Sequence, residues 1–108
     1  MRAVRLLEPA AIEAEEAAAW YEARLRGLGG GFKLEFALSL NALREDSSPG
    51  RFWPGRLGER GVKRVAMKRF PFFVVYVETN STRVVLAVAH HRRRPAYWRD
   101  RISKSDEH

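Results

Sequence analysis

The sequence has 108 residues, a net charge of +7 and no cysteine. This length is enough for one domain with one hydrophobic core, and the lack of cysteine excludes a disulfide framework, a thiolate nucleophile and a thiolate metal site. No apolar run approaches the roughly 18 residues that cross a membrane, and the N-terminus does not resemble a secretory signal. We therefore expect a cytoplasmic protein without membrane contacts.

Charge is distributed unevenly along the chain. Between residues 8 and 22 all the charged residues are glutamates: Glu8, Glu13, Glu15, Glu16 and Glu22. Residues 51–104 are predominantly basic. A basic surface that only maintains solubility predicts scattered charges, whereas this asymmetry indicates a surface that attracts a polyanion or an acidic protein segment.

Two helices are predicted in the first half of the chain, after a short β-permissive segment at residues 2–7. Proline is tolerated in the first turn of a helix, so Glu8-Pro9 is the expected start of the first helix. Its apolar residues recur at helical spacing: Ala14, Ala17, Ala18, Tyr21, Leu25 and Leu28. Residues 28–31 are predicted to break this helix. A second apolar series then follows: Phe32, Phe36, Leu40 and Leu43. The two helices are expected to form an antiparallel hairpin.

A loop and three strands are predicted in the second half. Residues 47–61, rich in proline and glycine, form the loop. Phe52 and Trp53 are expected to dock onto the domain, and a binding role is the alternative. Strands are expected at residues 62–69, 72–77 and 84–89. Simple alternation in the last strand predicts that Val84, Leu86 and Val88 share one face of the sheet.

The predicted order of elements is β-α-α-β-β-β, which belongs to the α+β class. Short links join the last three strands, so we expect an antiparallel meander with the helical hairpin on one face. The first strand is expected to complete a small twisted antiparallel sheet. We predict a single domain over residues 1–102 and a flexible C-terminal tail over residues 103–108.

The sequence resembles the RelE/ParE toxins of bacterial type II toxin–antitoxin modules over nearly its whole length. The matching strings are PAAIEAEEAAAWYEAR, GLGGGFKLEFALSLNAL, VKRVAMKRFPFFVVYV and LAVAHHRRRPAYWRDR. The resemblance implies two helices on a small twisted antiparallel sheet, and an antitoxin that wraps and neutralises the toxin. ParE-type members inhibit DNA gyrase and RelE-type members cleave mRNA in the ribosomal A site, and the Pro-x-Tyr-Trp ending is more typical of the ParE-like branch.

Metal-independent RNA cleavage needs a base, cations around the phosphate and a proton source. The residues that could supply these functions are Arg64, His90, Arg93 and Tyr97. In RelE-like toxins the active site includes several basic residues and a C-terminal tyrosine, which Arg64, Arg69, Arg93 and Tyr97 could match. The structural alternatives are a solvated Arg64, a hydrogen-bonded His90 at the strand end, and Tyr97 as an anchor.

A wider set of basic and aromatic residues is predicted to bind nucleic acid or another target: Lys63, Arg64, Lys68, Arg69, Arg92, Arg93, Arg94 and Tyr97. Pro95 and Trp98 are expected to fasten the C-terminus to the domain, and Arg101 could pair with a helix glutamate. Neighbouring strand residues point to opposite faces, so His90 and His91 cannot easily share an ion. We predict no metal and no cofactor.

Three functions remain open from the sequence. The first is a toxin that arrests growth by ParE-like inhibition of DNA gyrase, and the second is a RelE-like ribosome-dependent mRNA endoribonuclease. The third is a non-toxic basic nucleic-acid-binding module. As the partner of a toxin we expect an antitoxin whose acidic or amphipathic tail lies across the helices and the basic sheet face. The chain is expected to form a homodimer or a hetero-oligomer with this antitoxin.

Overall fold

The structure, a computed structural model, describes residues 2–45 and 50–106. Its elements follow one another in this order: β1 (Ala3–Leu6), α1 (Glu8–Arg24), α2 (Leu28–Arg44), β2 (Arg51–Phe52), α3 (Arg56–Glu59), β3 (Lys63–Ala66), β4 (Phe72–Thr79), β5 (Thr82–His90) and a 3₁₀ helix (Arg99–Asp106). The predicted β-α-α-β-β-β order is confirmed. The very short elements β2 and α3 were expected to be loop. Among the described residues, no helix is long and apolar enough to span a membrane.

The turn between α1 and α2 lies earlier than the sequence predicted. Helix α1 ends at Arg24, and Gly27 adopts a left-handed conformation with φ of 91° before α2 begins. The three following glycines therefore lie inside α2 and do not break a helix. A Cβ on Gly29 would come within 2.5 Å of the Ala18 carbonyl oxygen, so glycine permits the close contact between the two helices. Leu25, predicted to be part of the apolar stripe, is exposed.

The sheet has five strands in the order β1-β5-β4-β3-β2. Strands β3, β4 and β5 form an antiparallel meander, as predicted, and β2 pairs antiparallel with β3, but β1 is parallel to β5. The expectation of a wholly antiparallel sheet is therefore wrong at this edge. Parallel neighbours need a long connection, and the helical hairpin and the meander together supply it.

A β-bulge reverses the side-chain alternation in β5. Val75 pairs with Ala87 and Tyr76 with Val85, which leaves Leu86 without a partner in β4. Val85 and Val88 consequently contact the helix-side core, whereas Leu86 and Ala87 both lie in the core on the other face. The alternation predicted for this strand is wrong, because one extra residue changes the face of every residue after it.

Apolar residues pack on both faces of the sheet. On the helix side, Phe32 stacks with Tyr21 and makes edge contacts with Phe70 and Phe72. On the other face, Trp98 is 1% exposed and contacts the Trp53 ring at a centroid distance of 4.9 Å. The predicted anchoring role of Trp98 is thus confirmed.

The two aromatic residues of the predicted loop behave differently. Trp53 packs on the sheet as expected, but Phe52 is 61% exposed, so its predicted docking is wrong. Phe52 lies in β2, which pairs only with β3 at the edge of the sheet, so one of its sides has no neighbouring strand. The start of the predicted loop, at residues 47–49, lies outside the described residues.

The C-terminal segment belongs to the fold at least as far as residue 106. Residues 99–106 form the 3₁₀ helix, in which Ser105 is buried. The Ser105 carbonyl oxygen accepts a hydrogen bond of 2.6 Å from the Arg5 guanidinium, which links this helix to β1. Residues 103–106, which we predicted to belong to a flexible tail, lie within this 3₁₀ helix. The expected anchoring by Pro95 is not seen, since Pro95 is exposed.

Candidate functional site

The four candidate catalytic residues lie around one small cavity of about 140 Å³. Strand β3 contributes Arg64, the end of β5 contributes His90, and the following segment contributes Arg93 and Tyr97. We call this the cationic cavity. Its wall also includes Trp53, Phe73, His91, Arg94 and Trp98. Meander topology explains the arrangement, because β3 and the end of β5 both pair with the same end of β4.

Arg64 is held by aromatic rings and is not simply a solvated side chain. Its guanidinium carbon lies 4.8 Å from the centroid of Trp53 and 4.6 Å from that of Phe73. Cation–π contacts of this kind leave the guanidinium N–H groups able to bind an anion. Arg64 therefore combines a fixed position with a positive charge at the cavity wall.

The geometry of His90 supports its structural alternative. Its Nδ1 atom accepts a hydrogen bond of 3.0 Å from the Arg92 backbone N–H. An imidazole that accepts at Nδ1 when neutral has its hydrogen on Nε2, so the Nδ1 lone pair of His90 is already engaged by the backbone. His90 packs against Phe72 and His91 against Phe73, on different faces of β4, as the sequence indicated for neighbouring strand residues.

Glu13 of α1 is the residue that sequence reasoning missed. Its carboxylate accepts hydrogen bonds from the Tyr97 hydroxyl at 2.6 Å and from Arg101 at 2.9 and 3.1 Å. The expected pair between Arg101 and a helix glutamate is therefore present. The available signal was helical spacing, which places Glu13 between Ala10 and Ala17 on the buried stripe and not on the exposed face.

The Glu13–Arg101 pair also covers an open strand edge. Strand β1 accompanies β5 only as far as Val85, whose carbonyl accepts the Leu7 N–H. Beyond that point, the Val88 N–H donates to Glu13 and the Leu86 carbonyl accepts from Arg101. Side chains thus satisfy backbone groups that a longer β1 would have paired.

Tyr97 is poorly suited to protonating a leaving group. Burial, followed by the hydrogen bond to Glu13 and its negative charge, raises the pKa of the Tyr97 phenol above its ordinary value. The hydroxyl already donates to Glu13. Tyr97 therefore acts in the structure mainly as an anchor and as a platform for a cation.

Arg93 is an accessible cation at the cationic cavity, as is the exposed Arg94. The Arg93 side chain is 57% exposed, and its guanidinium stacks over the Tyr97 ring at 3.9 Å from the centroid. The contact with Glu13 is a long one of 3.8 Å. Planar stacking orients the guanidinium while its N–H groups stay available for a phosphate or carboxylate.

The predicted binding residues do not form one surface. Arg69 lies in the bend after β3, not on that strand, where it pairs with Glu35 of α2 at 3.3 Å. The Lys68 backbone N–H also donates to Glu35, and Lys63 pairs with Glu78 at 3.8 Å. Arg69 and Lys63 thus pair with carboxylates outside the cationic cavity, and Lys68 is linked to one through its backbone N–H. The predicted binding residues that surround the cationic cavity or lie beside it are Arg64, Arg92, Arg93, Arg94 and Tyr97.

An apolar groove of about 440 Å³ adjoins the cationic cavity. Trp20 and Tyr21 of α1 form one side of this groove, and Phe72 and Val88 of the sheet form another. Trp20 is half-exposed, although the Arg24 guanidinium covers its ring at 3.4 Å. An exposed apolar groove of this kind is typical of a surface that binds another protein.

Comparison with known proteins rests on structure. No protein-family model and no curated protein sequence matches this chain. A solved structure of the chromosomal ParDE TA system from P. aeruginosa contains a chain that superposes with a TM-score of 0.70 at 14% sequence identity, over 83% of this chain and 96% of that one. The two chains share a fold. The architecture implied by the family resemblance, two helices packed on a small sheet, is therefore confirmed.

Proposed function

We propose that this chain is the toxin component of a bacterial type II toxin–antitoxin module. The observation that carries the proposal is the fold shared with a chain of the ParDE TA system across almost the whole of that chain. The RelE/ParE-like sequence strings, which run through both helices, the meander and the C-terminal segment, support the same conclusion.

The target that we propose is a nucleic-acid machine, inhibited as ParE-like toxins inhibit DNA gyrase. The candidate proton-transfer groups are already engaged, Tyr97 with Glu13 and His90 with the Arg92 backbone. Arg64 and Arg93, in contrast, are positioned cations that need no chemistry to bind an acidic surface or a phosphate. A toxin that acts by binding is therefore favoured over one that cleaves its target.

The proposed partner is an antitoxin with an acidic or amphipathic segment, acting in the cytoplasm. Several large apolar side chains of the helical hairpin are exposed: Ile12, Trp20, Leu34 and Leu38. Their burial, together with charge pairing at Arg93 beside the apolar groove, would supply affinity. The antitoxin surface that we propose is therefore the same as the one that the sequence predicted, namely the helices and the sheet face.

Controlled expression tests the proposal. We expect induction of the chain alone to arrest bacterial growth, and co-expression of the product of a small adjacent reading frame to restore it. Purified protein should then accumulate gyrase–DNA cleavage complexes, with Arg93→Gln reducing the effect and Arg60→Gln, an exposed arginine near α3, as the charge-matched control. Normal growth on induction would instead support the non-toxic nucleic-acid-binding module.

A second candidate is the ribosome-dependent mRNA endoribonuclease. It is favoured by one observation, namely that Arg64, His90, Arg93 and Tyr97 line the same cavity. This function predicts mRNA cuts at ribosome-occupied codons that disappear in folded His90→Ala and Arg93→Ala variants. Intact mRNA in growth-arrested cells would eliminate it and leave gyrase inhibition.

A further inference from the structure

The Glu13 carboxylate joins three separate parts of the chain near the cationic cavity. It belongs to α1, it accepts the Val88 N–H from the open edge of β5, and it accepts hydrogen bonds from Tyr97 and Arg101 of the C-terminal segment. Its side chain is only 11% exposed. A carboxylate with this many donors on its two oxygens is held in a single orientation.

Arg93 depends on this arrangement in two ways. Its guanidinium stacks on the ring of Tyr97, whose hydroxyl is bound to Glu13. It also lies 3.8 Å from Glu13 itself. The position of Arg93 is therefore set by Glu13, both through the Tyr97 ring and through direct charge attraction.

We propose that Glu13 is a positioning residue for Arg93, the side chain of the cationic cavity that binds a phosphate group of an anionic ligand. The proposal rests on the proposed function for the assumption that this ligand is a nucleic acid or another phosphate-bearing target. Glu13 itself contacts no ligand. Its effect is to hold the Arg93 guanidinium over the Tyr97 ring, so that less freedom is lost when the guanidinium binds a phosphate.

A positioning role and a purely electrostatic role for Glu13 predict opposite changes in anion affinity when its charge is removed. Removal of a negative charge next to Arg93 and Arg101 should strengthen anion binding if only Coulomb attraction matters. Loss of the positioning carboxylate should weaken it, because Tyr97 and Arg93 become free to move. The sign of the change in affinity therefore separates the two roles.

The probe is inorganic pyrophosphate, titrated into the full chain and followed by NMR at the backbone amides of residues 92–94. We expect Glu13→Gln to weaken binding about fivefold, despite the gain of one unit of net positive charge. Glu16→Gln, an exposed glutamate on the same helix, removes an equal charge and should leave the affinity unchanged or slightly higher. Arg93→Lys keeps the charge but loses the planar stack, and should weaken binding to a similar extent as Glu13→Gln.

A double-mutant cycle supplies the decisive comparison. If Glu13 acts through Arg93, the Glu13→Gln/Arg93→Lys variant should bind pyrophosphate no more weakly than Arg93→Lys alone. Additive losses, or tighter binding by Glu13→Gln, overturn the proposal. Failure of the unaltered chain to bind pyrophosphate also overturns it, whereas growth arrest by the same chain would show that the proposed function survives without this inference.

A second measurement needs no ligand and reports directly on the contact between Tyr97 and Glu13. The Tyr97 phenol, assigned by comparison with Tyr97→Phe, should titrate at lower pH in Glu13→Gln than in the unaltered chain, while Glu16→Gln should not change it. Glu13→Asp retains the charge and should restore part of both the titration and the affinity. A Tyr97 titration that is the same in Glu13→Gln and the unaltered chain would rule out the positioning role.

Discussion

A glutamate carboxylate pairs with several cations at each end of the β4–β5 hairpin, and the two clusters differ in one respect. At the turn end, Glu78 pairs with Arg2 at 3.0 Å, with Arg83 at 3.2 Å and with Lys63 at 3.8 Å. At the open end, Glu13 pairs with Arg101 and Arg93. The cations around Glu78 are all largely covered, whereas Arg93 is exposed. Similar pairing chemistry thus involves covered cations at one end and leaves a cation exposed at the other.

The Glu78 cluster should give the largest loss of stability. Arg83 is 7% exposed, and it also donates to the carbonyl oxygen of Leu43 near the end of α2. Arg83→Met keeps most of the aliphatic volume but removes the hydrogen bond to this carbonyl and one of the cations that pair with Glu78. We expect the free energy of unfolding to fall by about 3 kcal/mol, measured by urea denaturation.

Arg92→Met provides the control for this experiment, since the Arg92 side chain is exposed. Its unfolding free energy should change by less than about 0.5 kcal/mol. Equal effects of the two substitutions would mean that the contacts of Arg83 with Leu43 and Glu78 do not link the end of α2 to the sheet.

The Glu13 cluster should give a smaller loss through Tyr97. Tyr97→Phe removes the hydroxyl that donates to Glu13 but preserves the ring beneath Arg93. A hydrogen bond to a charged acceptor contributes about 1.5 kcal/mol, so the free energy of unfolding should fall by about that amount. The matched control is Tyr21→Phe, because no hydrogen bond to the Tyr21 hydroxyl is found among residues 2–45 and 50–106. A Tyr97→Phe variant as stable as this control would contradict the importance of the contact.

The sequence predicted the parts of the molecule that depend on local periodicity. The start of α1 at Glu8, the buried face of α2 at Phe32 and Leu43, and the anchoring by Trp98 all follow from spacing and residue type. The resemblance of the strand and C-terminal strings to known toxins brought Arg64 and Arg93 together as candidates before their common cavity was known.

Features that depend on tertiary contacts were not predictable in the same way. Glutamates on a surface helix usually face solvent, so nothing but its place on the alanine stripe distinguished Glu13 from its neighbours. The bulge at Leu86 has no sequence marker such as glycine, and it overrode the expected alternation. Arg69 was assigned to the predicted strand at residues 62–69, in which apolar and charged residues alternate. In the structure it lies in the bend after β3 and pairs with Glu35.

The pH dependence of stability should also distinguish Tyr97. Burial and Glu13 raise the pKa of this phenol above its ordinary value of 10.0, so the folded state retains the proton at a pH where the unfolded state loses it. The contribution to stability is therefore fully present below about pH 10 and lost as pH rises above it. This pH-dependent contribution cannot exceed the free energy that the ordered Tyr97 side chain adds to the stability of the fold, so we expect a modest effect. The stability difference between the unaltered chain and Tyr97→Phe, followed by denaturation from pH 8 upwards, should shrink at alkaline pH, and a constant difference would refute the shift.

The smallest expected effect on stability is at Arg93, and it separates the two clusters most clearly. Its contact with Glu13 is long and its side chain is exposed, so Arg93→Gln should change the free energy of unfolding by less than about 0.5 kcal/mol. Arg101→Gln, which removes the two short hydrogen bonds to the same carboxylate, should cost clearly more. A loss at Arg93 as large as that at Arg101 would make both arginines structural, like Arg83 at the other end. If Arg93→Gln instead weakens growth arrest while stability is preserved, the exposed cation is maintained for a ligand and not for the fold, which is the difference that the two carboxylate clusters indicate.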